Sequence, residues 1–158
     1  MLWSYIKIFF ISMLPIIELR GAIPVSQAMG LPLLSSYIVC VLGNMLPVPF
    51  IYLFARRVLV WGSQLSNKRL SSFFIWFLQK GEKAGEKLLS KGSNSIYIAL
   101  MLFVGIPLPG TGAWTGILAA SILDLEAKKA CLAVLAGVLL AGVIMAIPSF
   151  GLFSLLRS

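Results

Sequence analysis

Histidine is absent from the 158 residues, and aspartate and glutamate together number five. Without histidine, triads that use it as a base are excluded, and zinc loses its commonest nitrogen ligand. There are two cysteines, Cys40 and Cys131, and both lie in apolar runs. They read as buried small hydrophobes, not as a disulfide or a metal pair. A lone carboxylate without histidine, metal ligands or an activated nucleophile meets few catalytic criteria, so the chain does not read as an enzyme. Charge is also scarce, at 11% of residues, where soluble domains carry about a quarter.

Apolar sequence takes its place. The chain is 59% hydrophobic, with a mean hydropathy of +0.99. Residues 31–55, 92–123 and 130–156 hold no charged side chain, and each run exceeds the roughly 20 residues that cross a bilayer. An all-α integral membrane protein follows. The opening MLWSYIKIFFISML has no basic stretch before its apolar run, holds Lys7 inside it and leads to no small-residue cleavage site. It is therefore expected to belong to the fold, not to a signal peptide.

The net charge of +8 is concentrated. Arg56, Arg57, Lys68, Arg69, Lys80, Lys83, Lys87 and Lys91 face only Glu82 and Glu86, which puts 56–91 at +6. Beside so much membrane sequence this reads as a cytoplasmic loop under the positive-inside rule, with no nucleic-acid partner. Leu65, Arg69, Phe73, Phe77 and Lys80 recur near helical spacing, with Phe74 and Leu78 widening the apolar face. An interfacial amphipathic helix facing anionic lipid is expected there.

Residues 92–123 are too long for one crossing and carry PLPGTG in the middle, which a continuous helix tolerates poorly. Split there, each arm reaches about 16 Å, half of a roughly 30 Å hydrocarbon core. That length suits a re-entrant hairpin. Residues 1–30 have the same form, turning at PIIELRG and ending at Gly30-Leu31-Pro32. One membrane domain is expected over 1–158: hairpin 1–30, span 31–57, basic linker 58–91, hairpin 92–123 and span 127–156. With non-crossing hairpins, Lys128 and Lys129 fall on the same side as the basic loop, as the positive-inside rule requires. The halves then form inverted repeats whose hairpin tips meet near the midplane. Gly21 over Gly112, and Gly43 over Gly137 with a three-residue slip, align them.

The first tip carries Glu18 and Arg20. In a helix, i and i+2 side chains point apart, so 15–21 is read as an irregular loop. The second arm is expected to start near Ala22, with Pro24 in its first turn. Arg20, helix amides and the opposing tip would form an anion site, since guanidinium binds phosphate or carboxylate bidentately. Glu18 would neutralise Arg20 or carry a proton. The alternative is a pair that only fixes the loop. In the second tip, Gly110 and Gly112 expose amides and Thr111 and Thr115 offer hydroxyls beside Pro107, Pro109 and Trp114. These suit a polar ligand, or a turn that the hairpin alone requires. The GxG lacks any strand context or GK[ST], so nucleotide binding is not expected. Asn44 is either a ligand contact or a helix-to-helix hydrogen bond. Pro47 and Pro49 are expected to kink the first span, and Gly137 and Gly142 to allow close helix approach.

The two tips, PxxExRGAIP and GxPLPGTGAWTG, resemble those of the small multi-drug export protein family, which looks like a distant branch of the DedA superfamily. The resemblance rests on Glu18, Arg20, Gly21 and Pro24, then Pro107, Pro109, Gly110, Thr111, Gly112 and Trp114. It implies transport. The wider superfamily is associated with moving lipid carriers such as polyprenyl phosphates and with proton-dependent drug resistance. DedA proteins place key arginines in the second half, where 92–123 has none. The leading expectation is thus an inner-membrane transporter or flippase holding an anionic headgroup, a phosphate such as that of a polyprenyl phosphate lipid carrier, between the tips. It would be homodimeric, with no cofactor beyond a coupling proton or sodium. A proton-coupled exporter of amphipathic or cationic compounds, using Glu18 as its binding carboxylate, and a non-transport scaffold are the alternatives.

Overall fold

The computed structural model describes residues 2–66, 68–89, 92–108 and 110–155, which are helical with no strand among them. In chain order the helices are α1 (Leu2–Met13), α2 (Glu18–Ala28), α3 (Leu33–Met45), α4 (Val48–Ser63), α5 (Lys68–Leu89), α6 (Ser93–Gly105), α7 (Ala113–Ile122) and α8 (Ala127–Leu155). Helices α3 and α4 together form one apolar stretch, Leu33–Ser63, and α8 supplies a second, Ala127–Gly151. Only 33% and 39% of their most apolar windows are buried. The core helix of a soluble protein would be mostly enclosed, so these faces are built for lipid, and the chain is a membrane protein. By contrast α1, α2, α6 and α7 have 12, 11, 13 and 10 residues. At about 1.5 Å per residue, none reaches across a roughly 30 Å core alone.

The packing has a repeating plan. Helix α1 lies along α3 and α6 along α8, while α2 crosses onto α8 and α7 onto α4. Gly43 and Gly137 make the first two contacts possible. A Cβ on Gly43 would strike the Phe9 carbonyl, and one on Gly137 would strike the Met101 carbonyl. Ile8, Leu19, Ile23, Ile117, Val134 and Val138 fill the centre between these layers.

The second arms also end alike. After α2, Gly30 takes φ 73°, and Leu31 N donates to Ser26 O at 3.1 Å. After α7, Asp124 takes φ 54°, and Leu125 N donates to Ala120 O at 3.0 Å. Both are left-handed C-terminal caps whose following leucine is buried. The same 94-residue offset separates Gly30 from Asp124 and Gly43 from Gly137.

Two local expectations change. The first tip is shorter than 15–21, because Glu18 N donates to Leu14 O (2.9 Å) and Gly21 N to Ile17 O (3.0 Å). Helix α2 therefore starts at Glu18, and Pro24 lies in its interior. The first span runs past 57 to Ser63. It breaks at Leu46–Pro47, where proline has no amide to continue the ladder, and Ile51 N resumes it on Pro47 O at 2.9 Å. The amphipathic helix exists as α5, and its N-terminal part docks on α4. The Phe74 ring covers Gly62, and the Ser71 hydroxyl donates to Ser63 O. The side chains of Phe77, Leu78 and Lys80 lie outside the described residues.

Candidate functional site

The broken hairpin α6–α7 leaves two helix ends facing each other: free carbonyls after α6 and free amides before α7. In an apolar setting both need partners. Both are supplied by the first turn of α2.

Arg20 serves the carbonyl end. Its Nη2 donates to Val104 O (2.7 Å) and Ile106 O (3.2 Å). Its Nη1 donates to Leu108 O (2.9 Å), Thr111 O (2.7 Å) and Thr111 Oγ1 (3.0 Å). One guanidinium thus gathers the last turn of α6 and the turn beyond it, and its charge lies at the negative end of the α6 dipole. Glu18 serves the amide end, where Oε1 accepts from Trp114 N at 3.3 Å. The preceding Gly112 has φ 154° and no side chain to cap α7, and a Cβ there would overlap the Glu18 carboxylate. Glu18 is 5% exposed and takes φ 51°, an uncommon left-handed conformation for a non-glycine residue. That conformation turns the chain from the tip into α2.

The exchange runs both ways. Trp114 Nε1 donates to Met13 O at 3.1 Å, closing the C-terminus of α1. Thr111 Oγ1 donates within its own turn, to Ile106 O or Leu108 O at 2.9 Å. Glu18 and Arg20 form no ion pair with each other among the described residues. They face two different helix ends, the C-terminus of α6 and the N-terminus of α7.

Beside this lock is a pocket of about 430 Å³. Glu18, Arg20, Pro107, Gly110, Thr111 and Thr115 line it, together with apolar Ile16, Ile17, Leu108 and Met145. Gly112 makes room for the Glu18 carboxylate and Trp114 N donates to it, without either lining the pocket. Three further expected residues are not brought to it. Gly21 admits the Ile17 side chain where its own would stand, and Pro24 is two turns into α2. Asn44 is buried within α3, and its Oδ1 has no hydrogen-bond partner. Pro109 lies outside the described residues. Met145, which comes from α8, was not anticipated, and an uncharged span offers no signal that would single it out.

A family model described as a small multi-drug export protein matches residues 18–144. The chain belongs to that family. Its first matched residue is Glu18, so the match takes in both charged tip residues and the whole second tip. No curated protein and no solved structure matches the chain. The family name points to export, and the two long apolar segments agree with a protein that works in a membrane.

Proposed function

We propose that this member of the small multi-drug export protein family is a proton-coupled exporter, not an enzyme, and that it takes amphipathic cations into the pocket beside the tips. One observation carries this reading. Glu18 lines a pocket that also has the apolar side chains of Ile16, Ile17, Leu108 and Met145, while both terminal nitrogens of Arg20 are occupied by carbonyl and hydroxyl oxygens. A cation with an apolar body finds its counter-charge and a hydrophobic wall together. A phosphate headgroup, the ligand of a flippase, would first have to pull Arg20 off the second tip. A proton or a cation on Glu18 would loosen the α7 amide end, which links binding to movement of the hairpin.

The architecture proposed for this is a pair of inverted repeats with re-entrant hairpins, the plan that also underlies the suggested DedA kinship. It is supported by the crossed packing of α2 and α7, the two alike C-terminal caps and the shared offset of the packing glycines. Helix α5 would lie at the cytoplasmic face of the inner membrane. A second copy is the proposed partner at the tips, where Ile16 is 94% exposed.

The test is transport in proteoliposomes with an imposed proton gradient, using ethidium as the amphipathic cation and a fluorescent polyprenyl phosphate as the rival. Glu18→Gln keeps an oxygen for the Trp114 amide and removes the charge. Ethidium movement should fall at least tenfold while the protein stays folded. Undiminished ethidium transport by Glu18→Gln would overturn the proposal. Polyprenyl phosphate transport that fails in Arg20→Gln would favour the flippase. Failure of the wild type with both compounds would favour a scaffold.

A further inference from the structure

A second pocket, lined by the start of α8 and not by its Met145 region, has the gradient of an amphiphile. Helices α6 and α8 run parallel, since Gly137 packs on Met101 and one turn later Leu140 packs on Gly105. On the N-terminal side of that contact lies a groove of about 410 Å³ between them. Asn94, Tyr97 and Lys129 line its beginning, and Ile98, Met101 and Leu132 line its continuation. From Asn94 to Met101 the groove follows about 10 Å of helix. Ile98 and Leu132 are 53% and 57% exposed, so the apolar part opens sideways. The Tyr97 hydroxyl accepts from Glu126 N at 3.3 Å, fixing the mouth at the start of α8.

Charge at the mouth selects the occupant. Asp124 is paired with Arg56, and Glu126 with Lys129. Lys128, next to Lys129 at the start of α8, has no acidic partner among the described residues, so the mouth keeps one uncompensated positive charge. Lysines at such a rim extend their amines toward headgroups while their stems stay on apolar surface.

We propose that the α6–α8 groove is a binding site for an anionic phospholipid. One acyl chain lies along Ile98, Met101 and Leu132, and the phosphate meets Lys128 and Lys129 beside the Asn94 amide. This does not depend on the transport reading, because the groove is remote in sequence from Glu18 and shares no lining residue with the tip pocket.

The experiment is native mass spectrometry of the full chain released from detergent containing equal phosphatidylglycerol and phosphatidylcholine. The wild type should retain phosphatidylglycerol several-fold over phosphatidylcholine. Lys128→Gln/Lys129→Gln should abolish that preference, lowering phosphatidylglycerol retention several-fold. Leu132→Trp, which fills the apolar part, should displace both lipids and leave the circular dichroism melt in place. Equal retention of the two lipids by the wild type would overturn the proposal. So would unchanged selectivity in the double variant, or a Leu132→Trp variant that alters only the oligomeric state.

Discussion

Replacing Arg20 by lysine keeps the charge and loses the fork. The guanidinium spans from Val104 O to Thr111 O with two nitrogens, a reach that one ammonium cannot cover. With hydrogen bonds to charged groups worth about 1.5–3 kcal/mol each, Arg20→Lys should destabilise the fold by about 3 kcal/mol. Thermal unfolding in detergent reads this directly, and a variant as stable as wild type would show that the second tip closes without the fork. Glu18 allows a finer separation. Glu18→Gln should stay within about 1 kcal/mol of wild type, because its amide oxygen still accepts from Trp114, whereas Glu18→Ala should lose about 2 kcal/mol. Gly112→Ala should be worse than either, since it puts a methyl group on the carboxylate at a φ of 154°. That these residues are unusual was legible, because two charges between prolines stand out in an apolar chain. What they do was not. Their partners are backbone carbonyls and amides of the other tip, and backbone groups leave no mark in a sequence. Gly21 misled for a related reason. It was read as a turn residue and is in fact a helical residue that makes room for Ile17.

Among the elements, helix ends were the best-marked features and helix breaks the least. Gly30 before Pro32 announced the end of α2, yet the matching end of α7 is made by Asp124, which carries no glycine signature. Proline marked the break between α3 and α4, but Pro24 and Pro148 sit inside helices that continue through them. At Pro24 the difference is set by packing, since α2 is held by α1, α3 and α8 and a helix so held tolerates one missing hydrogen bond; the exposed Pro148 has no such explanation. The glycine pair makes the sharpest test at this scale. In Gly43→Val and Gly137→Val the new side chain meets a backbone carbonyl, of Phe9 and Met101 respectively, which no rotamer change can relieve. Each should lose about 2–4 kcal/mol, or fail to yield a monodisperse protein on size exclusion. Similar losses at both positions fit two repeats built on one plan. A tolerated valine at either one would remove that glycine from the argument.

At the scale of the whole molecule the open matter is which ends share a side of the membrane. Composition marked the chain as a membrane protein at once, and the basic loop suggested an orientation. Neither can show whether a 13-residue helix enters and returns or joins a crossing. The contacts narrow this. Arg56 pairs with Asp124, the Tyr52 hydroxyl donates to Leu125 O, and Ser121 Oγ donates to Tyr52 O at 2.8 Å. The end of α4 and the turn before α8 are thus neighbours, as non-crossing hairpins require. A chain with Cys40→Ala and Cys131→Ala offers a clean background for labelling, since these are its two cysteines. Into it go Ser66→Cys after α4, Ala127→Cys at the start of α8 and Met29→Cys at the end of α2, all exposed positions. In right-side-out vesicles a membrane-impermeant maleimide should label the Met29→Cys protein and spare the other two until the membrane is opened. Labelling of Ala127→Cys from the outside while Ser66→Cys stays protected would make 92–123 a full crossing. The tips would then no longer meet from opposite faces, and the inverted-repeat architecture would fall even if the pocket beside Glu18 remained.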